Sequence, residues 1–217
     1  MEKGRKAIKL EAWFPTIILV GHLEELKNKN HLLSRRAYQI KEELKGEDDL
    51  NWKCDTFSSI KVPRDNYYRN DECDEVIDNL IGLVKMHVEN YSKSYDADLI
   101  NYEVISKEFW FNIAEPGNYQ EYHNHANNHF SAVYYVDTPD NCGNIIFQST
   151  ENLMDNYTIP NEKTFNSAIG AIKSCGYKPE PTKLLIFKST LLHMVEKNLS
   201  NKNRISIAMN FQLRLKK

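Results

Sequence analysis

The hydrophobic pattern of this chain changes period once, near its middle. Up to about residue 95 the apolar positions recur mostly at helical spacing, and from Ile100 onward they follow strand-like spacing for most of the remaining sequence. Before the helical part, Lys9 to Val20 is rich in β-branched and aromatic residues and is bounded by Gly21, which predicts an early strand pairing with the main sheet. His22 to Leu44 then reads as an amphipathic helix, with Leu23, Leu26, Leu32, Leu33, Ala37, Ile40 and Leu44 inward and many Lys and Glu residues outward. Lys45 to Asn70 is polar and contains Pro63, so it is expected to be mostly loop with one short strand. Asn70-Asp71-Glu72 offers cap-type residues for a second helix running to about Tyr95. Its apolar face comprises Val76, Ile77, Leu80, Ile81, Leu83, Val84, His87 and Val88, where His87 reads as a packed or half-exposed residue rather than a ligand.

The strand-like half begins with Glu103 to Ile113, followed by a Pro116-Gly117 turn and by the stretch Asn118 to Gln148. Within that stretch Thr138 to Gly143 is a loop and Asn144 to Gln148 a short strand. Ser149 to Pro181 is weakly patterned and is the expected lid or insertion. Strands resume at Lys183 to Lys188, Leu192 to Lys197 and Arg204 to Leu213. Roughly eight short strands separated by turns point to a sandwich or barrel, with the two helices packed outside a sheet. The 217 residues suit one domain, divided into an N-terminal strand with supporting helices (1–102) and a β core (103–213).

Composition narrows the function classes. With 41% hydrophobic and 27% charged residues the chain is an ordinary globular protein, and a net charge of -2 gives no electrostatic footprint for nucleic acid. The basic clusters Lys3, Arg5, Lys6, Lys9 and Arg214, Lys216, Lys217 carry no interleaved aromatics and read as solvated termini. Cys54, Cys73, Cys142 and Cys175 form no C-x-x-C pair, so neither a thiolate metal site nor a disulfide framework is indicated and a reducing cytoplasm fits. The run AWFPTIILV follows a basic start as a signal peptide would. Pro15 interrupts it, no small-residue cleavage site follows, and it is too short for a membrane span, which leaves a buried strand.

The candidate chemistry lies in Asn118 to Gln148, which holds His123, His125 and His129. On a strand, residues i and i+2 share a face, so His123 and His125 can converge on one ion. A non-haem Fe(II) site needs three protein ligands on one face, and His193, at the start of a short apolar strand, is the candidate from elsewhere in the chain. Farther on, Arg204 and Ser206 point the same way by strand alternation and can jointly hold a carboxylate, the guanidinium gripping it bidentately.

H-x-(D/H), a distal His, and then Arg-x-Ser resembles the pattern of the Fe(II)/2-oxoglutarate-dependent oxygenases, and most nearly a small bacterial and phage branch related to prolyl hydroxylases. The matching phrases are WFNIAEPGNYQEYHNHANNHFSAVYYVDTP, GNIIF and LLIFKSTLLHMVEKNLSNKNRISIAMNF, covering about Trp110 to Phe211, while the first hundred residues match only loosely in layout. The resemblance implies a mainly β protein with flanking helices, a double-stranded β-helix (jelly-roll, cupin-like) core. It implies that His123 and His193 bind Fe(II) and that Arg204 with Ser206 binds the distal carboxylate of 2-oxoglutarate. Oxidative decarboxylation of 2-oxoglutarate with O2 would be coupled to hydroxylation of a small-molecule, peptide or protein substrate.

Position 125 departs from the family pattern, which usually has Asp there. His125 is then a third imidazole ligand, or Glu121 supplies a carboxylate from the same strand face, or the metal site is degenerate. Tyr119, Tyr134 and Tyr135 are in the neighbourhood to hydrogen-bond 2-oxoglutarate, at most one of the adjacent pair Tyr134 and Tyr135 facing inward, and Asn112 is a further polar pocket residue. His129 reads as a polar loop residue, and Trp110 and Phe111 read as core. Two other function classes stay open: a three-histidine cupin-type dioxygenase without 2-oxoglutarate, which accounts for His125 but not for Arg204 and Ser206, and a non-catalytic β-barrel binding protein.

Overall fold

The computed structural model describes residues 16–44, 56–149 and 174–217. The beginning of the expected first strand, Cys54 and most of the expected lid lie outside the described residues. Among those described, ten strands form two antiparallel sheets. In chain order they are β1 (Ile18–His22), β2 (Phe57–Ser58), β3 (Tyr102–Ala114), β4 (Gln120–His123), β5 (Phe130–Asp137), β6 (Ile145–Gln148), β7 (Ser174–Tyr177), β8 (Lys183–Lys188), β9 (His193–Val195) and β10 (Arg204–Leu215). The larger sheet has the order β1-β8-β5-β10-β3-β2 and the smaller β4-β9-β6-β7. Tyr135, Leu185 and Phe187 of the larger sheet pack with Ile145, Phe147 and Val195 of the smaller, so the two sheets enclose one interior, the double-stranded β-helix.

Strand alternation gives the larger sheet two different faces. Its outer face, with Phe109, Phe111 and Ile113 of β3, Tyr134 and Val136 of β5, and Ile207, Met209 and Phe211 of β10, joins one apolar cluster with two helices. These are α1 (Asn30–Glu43) and α2 (Glu72–Lys93). The inner face carries Trp110 and Asn112 on β3, Ser131 and Tyr135 on β5, and Arg204, Ser206, Ala208 and Asn210 on β10. A bulge between Asn210 and Phe211 against β3 lets the pattern change phase, so that Val104 still reaches the outer core.

The structure differs from the sequence pattern in several places. The stretch from His22 to Leu44 is a 3-10 helix over Glu24–Lys29 followed by α1, and the break falls where Asn30 turns its side chain to the sheet. Asn30 donates to the Val136 carbonyl at 2.9 Å and accepts from the Tyr134 hydroxyl at 2.7 Å. The first strand reaches past Gly21 to His22 and pairs with β8. Part of the expected insertion is strand β7, an exposed edge strand whose sequence SCGY has no apolar alternation to reveal it.

The second helix begins where its capping residues predict. The Asp71 side chain accepts the Cys73 N–H and the Asp74 side chain accepts the Asp71 N–H, a reciprocal box. Arg36 of α1, fully buried, closes this box from the other helix with contacts of 2.8 Å to Asp71 and 2.9 Å to Asp74. Burial pushes the Asp74 carboxyl upward, but the N–H groups of Arg69 and Asp71 and the Arg36 charge together hold it below the usual range. Arg36→Ala leaves two carboxylates facing an empty site and is expected to cost about 3 kcal/mol or more. Urea unfolding checks this, and a loss below about 1 kcal/mol, the level of a surface pair, would contradict it.

Candidate metal centre

Three histidines from three places in the chain meet at one end of the interior. β4 ends at His123, which lies opposite His193 of β9, and His193 in turn lies opposite Phe147 of β6. His125 is not on the strand as the spacing suggested. It sits in the loop just beyond β4, where its N–H donates to the Ser189 carbonyl at 2.8 Å. The ring centroids are 5.2 Å apart for His123 and His125, 4.3 Å for His123 and His193, and 5.2 Å for His125 and His193. One nitrogen from each ring lies within 4.8 Å of the others, a spacing that can hold a metal ion, and Glu121 is not part of this group.

The surroundings set which nitrogen faces inward. Nδ1 of His123 donates to the Glu121 carbonyl at 2.7 Å and Nδ1 of His193 to the Leu191 carbonyl at 2.9 Å, so in both rings Nε2 carries the lone pair. Phe187 and Phe147 pack on His193, and Trp110 lies 5.5 Å from His125. Trp110 is therefore buried as expected, but it belongs to the wall of this site rather than to the apolar core under the helices. Burial is the main reason all three imidazoles are hard to protonate. It lowers the His123 pKa, and with the neighbouring His123 it pushes His125 down to about 4 and His193 down to about 3. Three neutral nitrogen donors on one face suit a divalent first-row ion.

On the inner face of the larger sheet lies a second cluster. Ser206 is opposite Asn112 on β3 and Tyr135 on β5. One inward step along β3, roughly 7 Å, separates Asn112 from Trp110. The Asn112 Oδ1 atom is buried without a hydrogen-bond partner, which marks a place for a polar guest. Arg204, only 3% exposed, donates to the carbonyls of Cys142 and Gly143. Its charge partly offsets the rise that burial imposes on the Tyr135 hydroxyl. Tyr135 is thus the inward tyrosine, while Tyr134 faces α1. Gly143 is required in the turn beneath Arg204, since it has φ +86 and an added Cβ would fall 2.3 Å from the Glu196 carbonyl oxygen. Tyr119 is half-buried ahead of β4, where its carbonyl accepts from Thr56. His129 is a loop residue whose Nδ1 accepts the Leu213 N–H at 3.3 Å.

Three imidazoles thus converge inside a double-stranded β-helix, and a buried arginine lies on the inner face of its larger sheet. Residues 108–210 match the family described as "Putative 2OG-Fe(II) oxygenase". That segment contains the three histidines and the Arg204 cluster, and the family so described uses Fe(II) and 2-oxoglutarate. The fold is similar to a prolyl-4-hydroxylase from Pseudomonas putida, at 13% identity and a TM-score of 0.60 over 92% of this chain and 94% of that one. It is also similar to a viral collagen prolyl hydroxylase from Paramecium Bursaria Chlorella virus-1, at 13% identity and a TM-score of 0.56 over 89% and 94%. A prolyl hydroxylase from Trichoplax adhaerens, solved with a hypoxia inducible factor peptide fragment, matches at 13% identity and a TM-score of 0.56 over 90% and 83%. No curated protein matches the chain. Among the described residues no helix is long and apolar enough to cross a membrane.

The lowered histidine pKa values have a measurable sign. At pH 6 ordinary imidazoles with a pKa of about 6.5 are mostly protonated, and three of them would release about two protons on binding a cation. His125 and His193 titrate far below that pH and have no proton to release. Calorimetric titration with Co(II) at pH 6 in buffers of different ionisation heat is expected to show fewer than about one proton released. Release of two or more would mean that the rings are charged before the metal arrives.

Proposed function

We propose that His123, His125 and His193 together hold the Fe(II) of a 2-oxoglutarate-dependent hydroxylase, and that His125 stands in place of the usual carboxylate. The observation that carries this reading is the convergence of the three ring nitrogens within 4.8 Å. Arg204 and Ser206 grip the distal carboxylate of 2-oxoglutarate, with Tyr135 and Asn112 lining the same pocket. Arg204 supports this role by its burial and its fixed orientation on two carbonyls, which pre-set the guanidinium for a carboxylate. When bound, the iron and 2-oxoglutarate supply the O2-dependent oxidation. The chain's own contribution is to hold the metal at the histidines and the distal carboxylate at Arg204, and to keep bulk water away with Trp110, Phe147 and Phe187. The substrate is a small molecule, or a peptide or protein side chain as in the Trichoplax relative. We read the helices and the barrel as one domain, because both helices share the apolar cluster on the outer face of the larger sheet.

Anaerobic addition of Fe(II) and 2-oxoglutarate is expected to produce the visible charge-transfer band of the chelate, and His193→Ala to abolish it. Arg204→Ala is expected to weaken 2-oxoglutarate binding by about 2 kcal/mol or more, roughly thirtyfold, with Arg204→Lys recovering only part of it. Unchanged 2-oxoglutarate affinity in Arg204→Ala would rule out the cosubstrate assignment. The three-imidazole set also suits a dioxygenase that works without an organic cosubstrate. Substrate-dependent oxygen uptake in the absence of 2-oxoglutarate would favour that reading.

A further inference from the structure

The loop from His125 to His129 carries a metal-facing ring without the support of a strand ladder. What fixes it instead is a set of polar side chains from three strands and a turn, buried at Ser189, Ser131 and Asn210 and exposed at Glu108. Ser189 brackets the loop through its backbone: its carbonyl accepts the His125 N–H at 2.8 Å and its own N–H donates to the His129 carbonyl at 3.1 Å. The Ser189 side chain, fully buried, lies 2.8 Å from the Ser131 hydroxyl, and Ser131 donates to Asn210 Oδ1 at 2.7 Å. Because the single Ser131 hydrogen is committed to Asn210, Ser189 is the donor to Ser131. Asn210 Nδ2 donates to the Glu108 carboxylate, which also accepts Asn128 Nδ2 at 3.2 Å. Asn128 belongs to the same loop, so the hydrogen bonds form a ring that starts at His125 and returns three residues later.

We infer that Ser189, Ser131, Asn210 and Glu108 are positioning residues for His125, acting together as the device that keeps this off-strand imidazole on the metal face. The inference rests on the reading of His125 as a ligand. From Ser189 through Ser131 and Asn210 to the carboxylate the donors point one way, so each bond polarises the next, and Asn128 donates to that carboxylate from the loop side. Ser131 and Asn210 sit opposite one another on β5 and β10, so the ring is anchored in the most extensively paired part of the larger sheet. His123 and His193 differ in being opposite one another on the paired strands β4 and β9.

The test uses Co(II) as the probe, with the wild-type protein and the Ser131→Ala, Ser131→Thr and Asn210→Ala variants. Ser131→Ala and Asn210→Ala are expected to weaken Co(II) binding about tenfold or more and to shift its visible bands toward those of His125→Ala. Ser131→Thr, which keeps the hydroxyl, is expected to recover the wild-type spectrum. In the His125→Ala background, Ser131→Ala is expected to change Co(II) affinity by less than about twofold, since the ring then has nothing to position. Amide exchange in the metal-free protein gives an independent readout: Ser131→Ala is expected to lose protection at His125. Wild-type Co(II) affinity and spectrum in both single variants, or an undiminished loss in the His125→Ala background, would overturn the inference. If the wild-type protein takes up no Co(II), the metal reading fails instead. Exchange at His125 still decides the ring in that case, with retained protection in Ser131→Ala counting against it.

Discussion

The ladder that pairs β10 with β3 on one side and with β5 on the other is the constraint on which the rest of the protein depends. Its alternation sends Ile205, Ile207, Met209 and Phe211 outward and Arg204, Ser206, Ala208 and Asn210 inward. The outward row creates an apolar face that must be covered, and α1 and α2 cover it. The inward row supplies the arginine and serine of the pocket and the asparagine of the polar ring. Stability and chemistry are therefore written on the two sides of the same strand. The bulge against β3 falls at the far end of the inward row, between Asn210 and Phe211, and a second irregularity, against β5, falls between Ile205 and Ser206.

The two ends of the interior have different electrical characters. At one end three imidazoles are kept neutral by burial, and at the other Arg204 keeps its charge with its guanidinium directed onto carbonyl oxygens. A guest that spans them meets a fixed cation at one end and, with a divalent ion bound, a second centre of positive charge at the other. A dicarboxylate complements that distribution better than a neutral molecule does. The apolar rings of Trp110, Phe147 and Phe187 around the histidines lower the local dielectric and strengthen such interactions.

Much of this was legible in the sequence where a local rule applied. The strand Lys183–Lys188, the first residue of β10 and the start of α2 at its Asp71 cap follow from alternation and capping chemistry. Parity along a strand also selects Tyr135 over Tyr134 once the inner face is known. The pattern failed where the deciding partner was far away in the chain. Asn30 ends the 3-10 segment because Tyr134 and Val136 claim its side chain, and no spacing rule could show that. His125 shares the i, i+2 spacing of a strand pair but belongs to a loop held by Ser189. Trp110 reads as core from its neighbours, and only the fold turns it toward the histidines. Ser131, Ser189 and Asn210 look like ordinary polar residues until two strands and a turn bring them together.

The neutrality of the three histidines bears on how such a protein matures. A site built on carboxylates confronts the newly folded chain with buried negative charge that only a cation relieves. Three uncharged rings, two of them already satisfied at Nδ1 by carbonyls of their own segments, impose little of that strain. Burial of the three rings then does not require a cation to be present, because no buried charge waits at this site to be neutralised.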